Sequence, residues 1–408
     1  MHRVVITGIG VISSLGLNRH EFWASLIEGK SGIGEFEQPE YGPIRFKNAA
    51  VVKGFSPEDH FPDKNVAFMD RFAQFSVASA REAVLQAGIE WTPELQESTA
   101  IITGSCIGGR IAEEVGYWNL FHLNKNRVHP LTIPLGMANS GASQISMEYG
   151  VHGPTFTFST ACSSSAHAIG HAFWMVRSGA VPMALTGGAD APVYFGNLKA
   201  WEAMRVVSPD TCRPFSIDRS GMILGEGAAM LVLEPLEVAL ARGANPIAEI
   251  VGFGMSSDAS HITQPSAEGA ARAIRGAIQD AGAGNGRIAP EQIGYINAHG
   301  TGTEANDKME CAAIRAVFGG HAEKLPISST KSMHGHTLGA AGAIEVAATA
   351  FSLYEAILPP TANFTRPDPE CDLDVIPNQA RAASVEIALS TSFAFGGLNA
   401  VLALRSTR

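Results

Sequence analysis

Short apolar runs recur along the chain: "RVVITGIG", "TAIITGS", "MALTGGA", "AAMLVLE", "IAEIVGFG", "IGYINAHG" and "IALSTSF". Each is too short for a buried helix and is punctuated by Gly, Ser or Thr, so each predicts a strand. Between them lie Ala-rich stretches that predict helices over 65–88, 162–178, 267–282, 305–317 and 340–357. Strand and helix alternate, which predicts an α/β layered fold. The strands are apolar along their whole length, so both faces of the sheet are expected to be covered.

The pattern also repeats itself. "RVVITGIGVISS" near the start resembles "IAEIVGFGMSSD" at 247–258, and "TFSTACSSSAHAIGHAFW" resembles "PISSTKSMHGHTLGAAGAIE" at 326–345. Each member of the second pair is a strand, a Ser-Thr, a small-residue turn and an Ala/Gly-rich helix. A duplicated α/β unit is the simplest source of this echo. Two such units packed together bring strand ends to one shared cleft.

Composition narrows the class. The 408 residues are 46% hydrophobic and 17% charged, with 43 glycines, as in a compact globular protein. A formal net charge of −10 argues against a general nucleic-acid binder. The five cysteines, 106, 162, 212, 311 and 371, are scattered and odd in number, which fits a reducing, cytoplasmic setting better than a disulfide framework. The apolar start, "MHRVVITGIGVISSLGL", is broken by glycines and reads as a strand and turn rather than a signal peptide. No run is long enough for a membrane helix.

Five stretches could carry chemistry. In "FSTACSSSAHAIG" Cys162 sits where a strand ends and a helix begins. Taken by itself it is either a small buried residue or a nucleophile activated by the helix's positive end. In "NAHGTGTEANDKME", His299 leaves a strand for a Gly/Thr turn, and Thr301 and Thr303 face one way if extended. That histidine fits proton transfer or a purely structural bond. In "SSTKSMHGHTLGAAGAIE", Lys331, His334 and His336 precede a helix without a metal-ligand spacing, so no metal is expected. "STSFAFGGLNA" alternates Phe393 and Phe395 before Gly396, either a strand entering a turn or a bulky gate on flexible backbone. The start "ITGIGVISSLG" lacks the third glycine of a dinucleotide fingerprint, and His167 and His171 have Ala168 where a zinc-protease helix needs Glu.

Together these motifs resemble the elongating β-ketoacyl-[acyl carrier protein] synthases, members of the thiolase-like family. "TACSSS", "NAHGTGT", "STKSMHGHTLGAAGAIE" and "SFAFGGLNA" occur in the family's order, with "CRPFSIDRSGMILGEGAAMLVLE" between them, so the resemblance covers nearly the whole chain. It implies a five-layered αβαβα fold with one half over 1–250 and the other over 251–408. It also implies a decarboxylating Claisen condensation. Cys162, as a low-pKa thiolate, would take an acyl group from a carrier's phosphopantetheine. His299 and His336 would stabilise the enolate left when malonyl-carrier loses carbon dioxide. Lys331 and Glu345 would order the histidines. The backbone N–H groups of Cys162 and Phe393 would hold the oxyanion, with Phe393 as gate and Phe395 and Gly396 in the same loop. Thr301, Thr303 and Ile107 would contact substrate. Arg71, Lys125, Arg127 and Arg205 would dock an acidic acyl carrier protein. No cofactor is implied beyond the carrier's 4'-phosphopantetheine. The partners implied are that carrier and a second subunit, in a homodimer or a heterodimer with a chain-length factor.

The chain departs from the family pattern at Ala394 and Leu398, in place of Gly and Thr, at Thr391, in place of Asn, and at His334, in place of Thr. Ala394 is expected to alter motion of the gate. The stretch 198–216 and "CDLDVIPN" resemble nodulation-type (nodulation protein E) and polyene-pathway members more than housekeeping synthases. A non-catalytic chain-length factor is the alternative, but such proteins typically lack the nucleophile. A degradative thiolase would carry a second, late cysteine where this chain has Phe395-Gly396-Gly397. A starter-type synthase would have Asn in place of His336.

Overall fold

The computed structural model describes all residues except 38–40, 63–65 and 284–287. Among the described residues, ten strands form one sheet. In chain order they are β1 (Val4–Ser13), β2 (Ala100–Gly104), β3 (Thr155–Phe158), β4 (Ala184–Asp190), β5 (Gly227–Pro235), β6 (Ala248–Ser257), β7 (Ile293–Asn297), β8 (Ile327–Ser328), β9 (Ile387–Ala394) and β10 (Leu398–Ser406). The spatial order is β8-β7-β9-β10-β6-β1-β5-β4-β2-β3.

That order is a repeat. Outward from the centre, the first half runs β1-β5-β4-β2-β3 and the second β6-β10-β9-β7-β8. Strand directions match pair for pair: two antiparallel ladders, then two parallel ones. The halves join through a short antiparallel ladder, Val4–Ile6 against Ala248–Ile250. The sequence echoes fall on equivalent elements, β1 with β6 and β3 with β8. The second repeat opens at Ala248, so a boundary drawn at 250 falls inside β6.

The long helices are α1 (Arg71–Ala87), α2 (Ser164–Ser178), α3 (Ala267–Gly282), α4 (Glu304–Phe318) and α5 (Ala341–Glu355). α1 covers the outer face of the first half against β1 and β5, and α3, with α4 beside it, covers that of the second against β6 and β10. α2 and α5 pack on each other and on strands of both halves, making the middle layer of an αβαβα sandwich. A helix enclosed on all sides has to be apolar and slender, which is why α5 is written in Ala and Gly: Ala341 to Leu353 is buried throughout. A Cβ on Gly342 would come within 2.9 Å of Ala166 Cβ on α2. No described helix is long and apolar enough to cross a membrane.

This arrangement positions the chemistry. β3 delivers Cys162 to the start of α2. β7 delivers His299, β8 delivers Lys331 and His336 to the start of α5, and the turn between β9 and β10 carries Phe395. The first half supplies the sulfur and the second supplies the groups that face it.

Candidate active site

Cys162 ends a tight bridge with Thr160 and precedes Ser163, the N-cap of α2. Ala161 is held at φ +52°, a left-handed conformation costly for a residue with a side chain. Such strain turns the sulfur out of the strand line toward the second half. The helix N-terminus can approach because β2 ends in Gly104, where a Cβ would sit 2.2 Å from the Ser165 nitrogen.

His336 Nε2 lies 3.1 Å from Cys162 Sγ. The His299 ring is 5.5 Å from that of His336, centre to centre, and nearly perpendicular to it. Lys331 Nζ is 3.2 Å from His299 Nδ1 and forms an ion pair with Glu345, both side chains fully buried. A lysine ammonium only donates, so Nδ1 of His299 must be the acceptor and its proton resides on Nε2. His299 is thereby fixed as an Nε2–H donor. Burial, with Lys331 nearby, holds both imidazoles well below their usual pKa, so both are neutral. Burial pushes the Glu345 carboxyl up to about 7, and Lys331 offsets part of that rise.

The sulfur's surroundings differ from expectation in two respects. The first concerns its ionisation: a low-pKa thiolate is expected from the helix end, but Cys162 stands ahead of the N-cap and is only 7% exposed. Burial pushes its thiol up to about 11, and Lys331 and the N–H groups of Phe395 and Cys162 offset only part of the rise. The resting nucleophile is a thiol with an imidazole at hand as proton acceptor. Since only the thiolate is alkylated, and a raised pKa lowers its fraction near neutrality, iodoacetamide labelling of Cys162 is expected to keep climbing above about pH 9. Intact mass, with Cys162→Ala subtracting the other thiols, checks this; a plateau below about pH 8 would contradict it.

The second correction concerns the oxyanion donor. The N–H that joins Cys162's own at the sulfur belongs to Phe395, not Phe393. Phe393 lies within β9, buried, with its ring 6.2 Å from that of His299. Phe395 stacks on Trp201 at 6.0 Å beside the cleft mouth. Gly396, at φ +81°, makes the turn that aims the Phe395 N–H inward. Ala394 has φ −102°, an ordinary extended value, so replacing Gly there costs nothing in this conformation.

Thr301 and Thr303 line the cleft with their hydroxyls 2.8 Å apart. Ile107 does not line it; Ile107 packs in an apolar cluster behind it with Ile44, Phe46, Leu198, Met222 and Leu338. Met222 belongs to both. His334 is structural, with Nε2 at Thr330 Oγ1 and Nδ1 at the Gly335 carbonyl.

The four basic residues do not form one patch. Arg71 is an internal brace: it forks onto Glu226 at 2.7 and 3.0 Å, donates to the Val52 carbonyl and covers the Phe75 ring. A guanidinium so engaged is not available to a carrier. Arg205 is exposed in a groove with Trp201 and Arg45 near the cleft mouth, while Lys125 and Arg127 stand on the exposed loop 122–131.

Sequence reading missed three buried carboxylates. Glu310 accepts the N–H groups of His299 and Gly300 at 2.8 Å each and the Thr391 hydroxyl at 2.8 Å, fixing the histidine's turn. Asp307 accepts the N–H groups of Phe215 and Gly302. Asp190 ties together two further loops. The available signal for the first two was only their i and i+3 spacing on one face of α4, in the polar stretch "EANDKME".

Comparison with known proteins agrees with this geometry. The model described as "Beta-ketoacyl synthase, N-terminal domain" matches residues 1–239, and "Beta-ketoacyl synthase, C-terminal domain" matches 247–365. Nodulation protein E of Rhizobium sp. (strain N33) is 47% identical over 403 residues, covering 99% of each chain. The 3-oxoacyl-[acyl-carrier-protein] synthase 2 of Staphylococcus aureus (strain COL) is 40% identical over 410 residues, covering 99% of this chain and 98% of that one. A chain of the solved ishigamide ketosynthase/chain length factor superposes with a TM-score of 0.93 at 39% identity, covering 100% of both. With both halves matched and such relatives aligned end to end, this chain belongs to the β-ketoacyl synthase family.

Proposed function

We propose that this enzyme joins an acyl chain held on Cys162 to a malonyl unit on an acyl carrier protein, releasing carbon dioxide and a 3-oxoacyl-carrier. The observation that carries the reading is the placement of one thiol, one imidazole 3.1 Å from it, and a second imidazole fixed as an Nε2–H donor.

In the first half-reaction Cys162 Sγ attacks the acyl thioester. Its proton passes by way of His336 to the departing pantetheine thiol. The N–H groups of Cys162 and Phe395 bear the oxyanion. Malonyl-carrier then enters. Its C–C bond to the carboxylate breaks, carbon dioxide leaves, and the electron pair forms an enolate at the thioester, held by His299 Nε2–H with His336 alongside. The enolate carbon attacks the acyl carbonyl, and the tetrahedral intermediate collapses with Cys162 thiolate as leaving group. Phe395, at the mouth against Trp201, is better placed than Phe393 to gate the two stages. Assembly of Cys162, His299, Lys331 and His336 favours this reading over a non-catalytic chain-length factor.

The pantetheine arrives on the carrier, past Thr301 and Thr303. Arg205, Lys125 and Arg127, joined by Arg45, are the exposed cations for an acidic carrier. A second subunit, a copy of this chain or a chain-length factor, would cover the unpaired edge of β3, where Phe156 is exposed, and the nearby exposed Tyr117, Phe121 and Ile133. Five free cysteines suit a soluble enzyme of the cytoplasm. The resemblance of 198–216 and "CDLDVIPN" to nodulation-type and polyene-pathway members is the ground for proposing a specialised rather than a housekeeping elongation.

The test is incubation with malonyl-carrier and carriers loaded with saturated, enoyl and dienoyl chains, read by intact mass. A 3-oxoacyl-carrier one acetyl unit longer is expected, with dienoyl primers preferred. Equal use of saturated primers would point to housekeeping synthesis, and no product would refute the condensation.

A further inference from the structure

Asp190 ends β4 and is fully buried; its charge adds to the rise in the Cys162 thiol, but its hydrogen bonds go to two loops rather than to the reacting groups. Its carboxylate accepts four hydrogen bonds from two loops. The loop after β2 gives the Ser105 hydroxyl at 2.7 Å, the Cys106 N–H at 2.9 Å and the Ile107 N–H at 3.3 Å. The turn between His336 and α5 gives the Gly339 N–H at 2.7 Å. None of the four donors is a cation, so the charge is held by oriented dipoles alone. Contact is close enough that a Cβ on Gly339 would lie 2.5 Å from Asp190 Oδ2.

The two loops meet for a reason visible in the packing. One presents Ile107 and the other Leu338, and both belong to the apolar cluster behind the cleft. Leu338 is held at φ +49°, a conformation a branched side chain adopts only when its surroundings enforce it. The cluster adjoins the cleft through Met222, Trp201 and Val206, which belong to both, so the tail of an acyl group on the sulfur has an apolar path into it.

We propose that Asp190 is a positioning residue that sets the wall of the acyl-chain site, clamping the Ile107 loop to the Leu338 turn. The proposal rests on the condensing reading above. Its oxygens can accept all four bonds at once because a carboxylate carries only acceptors. In Asp190→Asn one oxygen becomes an NH2, which at Oδ1 would face the Ile107 N–H and at Oδ2 the N–H groups of Cys106 and Gly339, so the clamp loosens and the wall shifts while Cys162, His299 and His336 stay in place.

The test is intact-mass competition on Cys162 between carriers loaded with butanoyl and dodecanoyl chains, without malonyl-carrier. In Asp190→Asn the long-to-short ratio is expected to change by about tenfold, the discrimination that small misfits in an apolar pocket produce. Ser105→Ala, which removes one of four donors and leaves the carboxylate, is expected to move it the same way by less, and it decides the matter if Asp190→Asn does not fold. A merely structural loss would lower both acylation rates together and leave the ratio alone. Unchanged ratios in variants that still acylate would overturn the clamp and leave the condensation standing. Absence of acylation in the unaltered enzyme would overturn both.

Discussion

Cys162→Gln is expected to lose acyl-enzyme formation and condensation entirely while still decarboxylating malonyl-carrier. Among the described residues, the sulfur is the one atom in the cleft that the geometry places for covalent acyl transfer, with His336 Nε2 3.1 Å away and two N–H groups around it. An amide cannot form the thioester, so no covalent adduct should appear in the mass spectrum. Decarboxylation does not use that bond. It needs donors on the malonyl thioester oxygen, and those come from the second half of the molecule. Glutamine fills the cysteine's place without adding charge, so the neutral imidazoles keep their state. A persisting covalent adduct would move the nucleophile elsewhere.

The second large effect concerns folding. Glu345→Ala is expected to destabilise the enzyme by about 3–5 kcal/mol, because it strands the Lys331 ammonium in a fully buried position without its counter-charge. The denaturant midpoint measures this. Glu345→Gln keeps an acceptor for Lys331 and should cost less. The double variant Lys331→Met/Glu345→Leu should cost less than either charge-stranding single change, since no buried charge remains. It should nonetheless be poorly active, because His299 Nδ1 loses the donor that fixes its tautomer. Equal losses in all three variants would mean that packing, not charge, dominates there.

Much of this architecture was legible in the chain. Apolar runs without polar alternation mark strands covered on both faces, and the internal echo marks the duplication that the sheet order repeats strand for strand. Cys162, His299, Lys331, His336 and Glu345 lie in local motifs whose spacing survives folding, and the structure brings all five together. What was not legible depends on approach between distant segments. Whether Phe393 or Phe395 turns its N–H to the sulfur depends on where the β9–β10 turn falls, and alternating aromatics do not say. The thiol's pKa depends on burial that no local motif encodes. Arg71 reads as surface charge until Glu226, far along the chain, is seen against it. Glu310 and Asp190 bond backbone N–H groups, which every sequence has, so no partner residue flags them.

The central claim is that a neutral imidazole held as an Nε2–H donor stabilises charge opposite the cysteine. The most direct measurement is the rate of carbon dioxide release from malonyl-carrier by Cys162→Gln, compared with Cys162→Gln/His299→Ala. Removing one such donor is expected to slow release by about a hundredfold or more. Equal rates in the two variants would contradict the claim.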